Sequence, residues 1–416
     1  MHESLSVPLW ASIPFLLMLL AIALGPLFKP HWWERNYPWV ALALGAVVIL
    51  LYLFYFRTLE PLGEVALDYF AFICLIGSLF VVTGGILIRI EGVATPFLNT
   101  AILLVGAIIS NVIGTTGASM LLIRPFLRLN KGRLSPYLVV FFIFLVSNIG
   151  GALTPIGDPP LFLGFLKGVP FFWLIPRVWL IWLFTIALVL AVFYFFDVRN
   201  RRGLDAEPAF AGPFRVRAFG LYNLAFLAGI ILAVLFLPTP WRELASIACA
   251  LASFFATRPS MIHEDNAFTF GPIREVAILF AGIFITMLPA LAWLRGNAPT
   301  LGLSAPGQFY WASGALSSFL DNAPTYLSFL NTAIGYTGLD VAAMLQQAPQ
   351  FIVAISLAAV FFGATTYIGN GPNFMVKSIS ETAGVKCPSF LGYMARFSIP
   401  ILIPIFALVW LLFLRL

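Results

Sequence analysis

Long apolar runs are the feature of this sequence that most limits what it can fold into. Stretches of about 20 hydrophobic residues, enough to span a bilayer as a helix, recur along all 416 residues. Lipid offers the backbone no hydrogen-bond partner, so only helices or closed barrels can cross it. The runs lack the alternation of barrel strands, so the sequence predicts an all-α polytopic membrane protein. Single spans are predicted at about 7–28, 38–56, 66–88, 171–196, 218–237, 241–257, 275–294 and 390–414.

Two further apolar segments are too long for one straight crossing. Residues 136–170 would form a helix of about 52 Å, whereas the hydrocarbon core is about 30 Å thick. Each segment has a Gly/Pro-rich interruption near its centre, TPIGDPP at 154–160 in the first and TYIGNGP at 366–372 in the second, which covers 350–386. We therefore interpret each segment as one crossing made of two half-helices joined by an unwound link.

Two other segments consist of apolar arms that are too short to cross. Residues 94–127 have arms on either side of the polar tip SNVIGTTG, and residues 305–330 have arms around SSFLDNAPT. Irregular backbone is tolerated at membrane depth where protein or a watery cavity surrounds it. These segments are therefore predicted to be re-entrant hairpins that enter and leave on the same side.

The basic residues indicate an orientation. Alternate loops, with the span ends that border them, contain 17 of the 23 lysines and arginines, and the opposite side contains six. Because cytoplasmic loops carry the excess of basic residues, both termini are predicted to lie outside, with about ten transmembrane crossings plus two hairpins. The predicted divisions are an N-terminal two-helix scaffold (1–64), a first repeat (65–196), a cytoplasmic loop with two scaffold helices (197–272) and a second repeat (273–416).

The two predicted repeats resemble each other in sequence. GGALTPIGDPP (150–160) aligns with FGATTYIGNGP (362–372) at an offset of 212 residues, which places Asp158 opposite Asn370. Each repeat has the order span, hairpin, broken span, span. An odd number of crossings separates their starts, so the copies are predicted to have inverted topology. Inverted repeats with discontinuous helices at matching positions are typical of secondary transporters.

Two carboxylates fall at the predicted helix breaks. Asp158 precedes Pro159, a common way to begin a helix, but a carboxylate at the membrane midplane is also a candidate ion- and proton-binding group. Asp321 lies at the tip of the second hairpin, where it either caps the following arm or faces Asp158 across the site. Removing a carboxylate from water favours its protonated form, so such groups can exchange protons for Na⁺ bound near Asp158 and Asp321.

Neutral polar residues accumulate at the same four breaks. Their oxygens can bind a hard cation or satisfy freed backbone groups. These candidates are Asn111, Thr115, Thr116, Thr154, Asn322, Thr325, Thr366, Asn370 and Asn373, with Ser147 and Asn148 before the first link. Lys377 follows the second link, where it either reaches the cytoplasmic surface or acts as a counter-ion to Asp158 or Asp321.

Other functional classes find little support. The chain has no HExxH, no Walker-type GxxxxGK[ST] and no Gly-x-Gly-Asp at Asp158, so we expect neither an enzyme nor an ATP-driven pump. The three histidines lie outside the apolar runs and the three cysteines are far apart, so no cofactor is expected. The net charge of +6 lies in short loops where it sets orientation, so nucleic acid is not an expected partner.

Two motifs carry a family resemblance over most of the chain after residue 66. SNIGGALTPIGDPP (147–160) and FLDNAPTY (319–326) resemble motifs of bacterial NhaD-type sodium/proton antiporters and their citrate-transporter relatives in the ion transporter superfamily. The segment YIGNGPNFMVKSISE (367–381) is similar to the branch described as sodium:proton antiporters or citrate transporters. The sequence departs from the symporters' Ser-Asn-Thr triplet, which is partly present as Ser110-Asn111-Val112 at the first tip and is replaced by Asp321-Asn322-Ala323 at the second.

The resemblance implies sodium coupling, tip-to-tip hairpins, elevator-like alternating access and a scaffold that dimerises. The positions that match the family motifs are Ser147, Asn148, Thr154, Asp158, Asp321 and Asn322. Two functions follow as expectations: exchange of Na⁺ for H⁺, and sodium- or proton-coupled symport of citrate or another carboxylate anion. A multi-pass homodimer in the bacterial inner membrane, with periplasmic termini, is the expected setting.

Overall fold

A computed structural model describes residues 7–201 and 214–415. The helices α1 to α9 are Ile13–Phe28, Pro30–Leu50, Glu60–Gly84, Pro96–Leu129, Pro136–Leu145, Pro159–Leu166, Ile175–Arg201, Asn223–Phe236 and Trp241–Thr257. The helices α10 to α18 are Ile262–Asp265, Gly271–Asn297, Pro306–Ser317, Asn322–Thr337, Val341–Gln347, Pro349–Phe362, Gly371–Thr382, Phe390–Tyr393 and Ile403–Val409. The π-helical stretch Leu51–Phe56 continues α2. A second, Met394–Leu402, joins α17 to α18, and a third, Trp410–Leu414, extends α18, so that one continuous helix covers Phe390–Leu414.

The predicted all-α polytopic membrane class is confirmed. Within the described ranges, seven helices, α4 among them, are long and apolar enough to cross a membrane, and a bent pair at Val341–Gln347 and Pro349–Thr365 makes an eighth if it forms one span. Helices α8 and α9, with 14 and 17 residues, are shorter than the roughly 20 residues that a transmembrane helix needs. Most long helices begin with proline at the first or second position, where its missing N–H costs no hydrogen bond.

The strand pair formed by β1 (Leu87–Glu91) and β2 (Arg215–Phe219) was not predicted from the sequence. The first of these segments overlaps the predicted span 66–88, which ends as a helix at Gly84, and the second overlaps the span predicted from 218, which begins at Asn223. The physical reason is local, because both LIRIE and RVRAF alternate apolar and charged residues with the period of a strand.

Helix α4 folds back on itself, as a hairpin requires. Gly114 has φ 79° and ψ 154°, a conformation that interrupts the helix and that glycine adopts most readily. The side-chain amide of Asn99 donates to Asn130 Oδ1 at 2.9 Å, although a straight helix would separate these residues by about 46 Å. Both ends of the hairpin are therefore held together at its base.

The second hairpin consists of α12 and α13 with a four-residue turn between them. The rings of Phe309 and Tyr336 lie 6.4 Å apart, which holds the two arms together. The helices that begin the two predicted repeats, α3 and α11, pack directly on each other through stacked Phe72 and Phe280 at 4.8 Å. The first helices of the two repeats are therefore direct neighbours.

Candidate functional site

Asp158 lies at the junction between the first link and α6. Its backbone is extended, with φ −141° and ψ 145°, as expected for a residue that precedes proline. Its side chain makes no capping hydrogen bond to α6 and is only 1% exposed. The carboxylate therefore occupies the N-cap position without capping, and it is directed into the protein.

The Asp158 carboxylate is surrounded by three neutral donors. Thr115 Oγ1 donates to Asp158 Oδ1 at 2.7 Å, and Asn370 Nδ2 donates to the same oxygen at 3.0 Å. Asn322 Nδ2 donates to Asp158 Oδ2 at 2.8 Å. Thr115, Asn322 and Asn370 come from the first hairpin tip, the second hairpin tip and the second link, so all four breaks meet at this one carboxylate.

The two tips approach Asp158 at equivalent positions of their hairpins. Thr115 follows the kink at Gly114, and its backbone N–H also donates to the carbonyl of Gly157 at 2.8 Å. Asn322 begins α13, and its Oδ1 accepts a hydrogen bond from Ser317 Oγ at 2.7 Å. Because that oxygen is engaged, the amide nitrogen of Asn322 is the group turned toward the carboxylate.

The two links have the same internal hydrogen bonds. Thr154 Oγ1 donates to the Asn111 carbonyl at 2.6 Å, and Thr366 Oγ1 donates to the Ser318 carbonyl at 2.5 Å. In both links the threonine hydroxyl also accepts from the N–H of the glycine three residues later, at 3.1 Å. These threonines therefore fix each link to its neighbouring hairpin, and neither hydrogen-bonds Asp158.

Three asparagines connect the first interrupted helix to the second. Asn148 Nδ2 donates to Asn373 Oδ1 at 2.7 Å, and Asn148 Oδ1 accepts from Asn370 Nδ2 at 3.2 Å. Asn373 Nδ2 donates to the carbonyls of Gly363 and Thr366 at 2.8 and 2.9 Å. Asn148 and Asn373 therefore orient Asn370, which in turn contacts Asp158.

Other predicted site residues serve the backbone or each other. Asn111 Nδ2 donates to the Gly150 carbonyl at 2.7 Å, and Thr325 Oγ1 donates to the Asp321 carbonyl at 3.0 Å. Ser147 Oγ lies 2.8 Å from Ser119 Oγ, a partner that the sequence did not single out. The structure brings all of these residues near the four breaks, but it does not place their side chains on the carboxylate.

Asp321 differs from Asp158 in its surroundings. It caps α13, where its Oδ1 accepts from the Ala323 N–H at 3.0 Å, and it is partly exposed. The residue after it, Asn322, donates to Asp158 Oδ2, which places Asp321 one residue from that contact. The capping alternative considered for Asp321 is therefore present in the structure, together with proximity to Asp158.

Lys377 has a partner other than the two carboxylates proposed for it. Its Nζ lies 3.0 Å from Glu381 Oε1, one turn later on α16, and 5.5 Å from the centre of the Tyr367 ring. The side chain is 23% exposed. In this structure Lys377 therefore pairs with Glu381, and no ion pair joins it to Asp158 or Asp321.

A small cleft with a cavity volume of about 30 Å³ lies beside the carboxylate. One wall is formed by the first tip and first link, including Thr115, Thr116, Gly157 and Pro159. The other wall is an apolar face of α3, which could not be assigned to the site from sequence because its residues resemble any other buried helix face. The lining residues are Leu75, Ile76, Leu79, Phe80, Ile113, Gly114, Thr115, Thr116, Gly117, Pro155, Ile156, Gly157, Pro159 and Phe162.

No cluster of three or more histidine, cysteine or acidic side chains that could hold a metal ion occurs in residues 7–201 and 214–415.

The model of the family described as "Putative citrate transport" matches residues 3–414 of the chain. None of the curated proteins searched matches it. The chain therefore belongs to this citrate transport family, which lies within the ion transporter superfamily.

Proposed function

We propose that this member of the citrate transport family is a secondary transporter in which Na⁺ and H⁺ compete for Asp158. One observation carries the proposal: the carboxylate is 1% exposed, and its three hydrogen-bond donors are all uncharged. An ionised group in such a place costs free energy unless it is neutralised. Either a sodium ion or a proton supplies the missing charge.

Competition for one carboxylate is sufficient for exchange. If the loaded site must be neutral to change its accessibility, a bound Na⁺ travels one way and a bound H⁺ travels the other. The three donors keep Asp158 hydrogen-bonded between these states. This explains why the site combines one buried acid with amide and hydroxyl groups rather than with a basic residue, which would neutralise the acid permanently.

Thr115 is the proposed point of entry for the ion. It is the one donor to Asp158 that also lines the cleft described above. A hydroxyl can either donate or accept a hydrogen bond, so Thr115 can turn a lone pair toward an arriving cation. Oxygen ligands are those that hard cations prefer, and the carbonyl of Gly157, which accepts from the Thr115 N–H, is a further oxygen nearby.

We also propose an elevator-like movement of the hairpins and interrupted helices against α3, α9 and α11. Polar contacts between these groups lie at the far end of α6. Lys167 there forms an ion pair with Asp68 of α3, and the Arg242 guanidinium of α9 lies 5.6 Å from the centre of the Phe165 ring. These contacts would have to break when Asp158 moves relative to α3.

Coupled symport of citrate or another carboxylate is the second candidate, and the family description favours it. The cavity of about 30 Å³ in this cleft is far smaller than the roughly 300–1,000 Å³ of small-molecule sites, so the cleft would have to widen to admit citrate. The hydroxyls of Thr115 and Thr116 could donate to a carboxylate. However, no lysine or arginine is found among the cleft's lining residues, so coupled cations would have to balance the charge of the anion.

Reconstitution into liposomes distinguishes the two candidates. A sodium gradient is imposed while a trapped dye reports internal pH, and uptake of labelled citrate is measured in parallel. We expect a sodium-dependent pH change without citrate, abolished by Asp158→Asn. The matched control is Asp340→Asn, which neutralises an exposed carboxylate that caps α14 through the Ala343 N–H. Citrate accumulation without sodium-driven proton movement would refute antiport and support symport.

A further inference from the structure

The strand pair β1–β2 sits where membrane helices end. β1 begins three residues after α3 ends at Gly84, and β2 ends four residues before α8 begins at Asn223. Asn223 Nδ2 donates to the Gly85 carbonyl at 2.8 Å. Asn266 Nδ2 donates to the carbonyls of Gly84 and Ile86 at 2.9 and 2.8 Å. The ribbon is thus fixed at the edge of the membrane-spanning region.

The ribbon has two chemically different faces. Side chains on paired strands share a face with their opposite neighbours, so Ile88 with Ala218 and Ile90 with Val216 form an apolar face. Val216 is 53% exposed and the preceding Phe214 is 55% exposed. Ile88 and Ile90 are partly buried against the protein core, so the β2 side of this face is the part that remains exposed. An exposed apolar strand beside membrane helices is suited to contact lipid rather than water.

The opposite face is rich in arginine. Arg89 pairs with Arg217 in the strand register, and Glu91 pairs with Arg215. Like charges directly opposite on a strand pair are destabilising. Arg89 has a carboxylate partner, Asp265, at 2.8 Å, whereas Arg217 has no ion pair within the described parts of the chain. A bound anion between the two guanidinium groups would relieve their repulsion.

We propose that Arg217, with Arg89 and Arg215, binds the phosphate of an anionic phospholipid while the apolar face of the ribbon lies against the acyl chains. Guanidinium groups bind phosphate oxygens in a bidentate manner, and anionic lipids attract basic segments next to the membrane. A lipid is favoured over a free anion because the apolar and basic faces occur on one ribbon adjoining α3 and α8. The proposal is independent of the transported substrate.

The test uses full-length protein in detergent, titrated with short-chain phosphatidylglycerol while thermal unfolding is followed. We expect this lipid to raise Tm more than phosphatidylcholine of the same chain length or inorganic phosphate does. Arg217→Gln should require about fivefold more phosphatidylglycerol, the loss expected when one arginine that contacts the lipid phosphate is removed. Arg199→Gln, which removes another exposed arginine at the end of α7, should behave as the unmodified protein.

Arg217→Lys keeps the charge and controls for folding, and its response should lie between those of the unmodified protein and Arg217→Gln, because an ammonium group attracts phosphate but does not bind it in a bidentate manner. An unchanged titration of Arg217→Gln would overturn the proposal. A response to inorganic phosphate equal to that of phosphatidylglycerol would also overturn it, because it would identify a free-anion site rather than a lipid contact.

Discussion

Exchanging the residues at positions 158 and 370 tests whether the difference between Asp158 and Asn370 matters for function. The double variant Asp158→Asn/Asn370→Asp keeps one acid and one amide at the two equivalent N-cap positions. If the repeats were interchangeable, exchange would survive. We expect it to be lost, because the surroundings of the two positions differ in hydrogen-bonding character.

The magnitude follows from the contacts of position 370. The Asn370 amide donates to the carbonyl of Ser147 at 3.1 Å and to Asn148 Oδ1 at 3.2 Å, besides its bond to Asp158. An aspartate at 370 would therefore face two acceptors, whereas Thr115 and Asn322 would still donate at position 158. A buried charge without its partner costs about 3–5 kcal/mol. Asn370→Asp alone is expected to be destabilised by this amount, or to take up a proton, since two carboxylates this close do not both ionise.

Two measurements check this prediction. Exchange in liposomes should fall to the level of protein-free vesicles in the double variant and in Asp158→Asn. Sodium at 100 times its Kd should raise the free energy of unfolding of the unmodified protein by about 2.7 kcal/mol, which is measured as an increase in unfolding temperature. Neither variant should show this increase. Asp340→Asn should keep both properties. Near-normal exchange by the double variant would refute the argument that the donors at position 158 decide where the carboxylate works.

Three further substitutions test the surrounding structure. Gly157→Ala should abolish exchange, because the added Cβ would overlap the Gly151 carbonyl; full activity with normal folding would contradict this. Lys377→Met should change stability by less than about 1 kcal/mol, the usual value of an exposed ion pair, and leave exchange intact in the same assay; loss of exchange would restore its counter-ion role. Asp68→Lys should change the rate of exchange because it breaks the ion pair with Lys167, and the second substitution Lys167→Asp should restore the original rate. A double variant that keeps the altered rate would exclude the ion pair as the cause.

The sequence predicted most of the elements that surround the site. A hairpin was expected at 94–127 from short arms around a polar tip, and α4 does fold back at Gly114. Asp158 was singled out because an acid replaces a neutral residue in the second copy. The first inference was possible because apolar length and proline position depend on local chemistry, which a single chain displays directly; the ion-binding role of Asp158 stays a prediction.

The individual side-chain contacts could not be predicted from the sequence alone. Thr115, Asn322 and Asn370 were three among many polar candidates, and only the folded chain shows that they contact Asp158. Asn148 was equally prominent in sequence, yet it binds other amides. The orientation of a side-chain amide depends on which acceptors tertiary packing places around it, and those acceptors lie 160 or more residues away for Asn322 and Asn370.

By itself, the sequence determined that this chain is a helical membrane protein with two similar halves and with breaks at matching positions. The reason is that a span in lipid needs a minimum apolar length and a fully hydrogen-bonded backbone, so that both its length and its interruptions are visible in the sequence. The tertiary structure decided which residues meet at Asp158, that Lys377 pairs with Glu381 instead, and that two short alternating segments form a ribbon. These are contacts between distant parts of the chain, and their geometry is set by packing rather than by local composition.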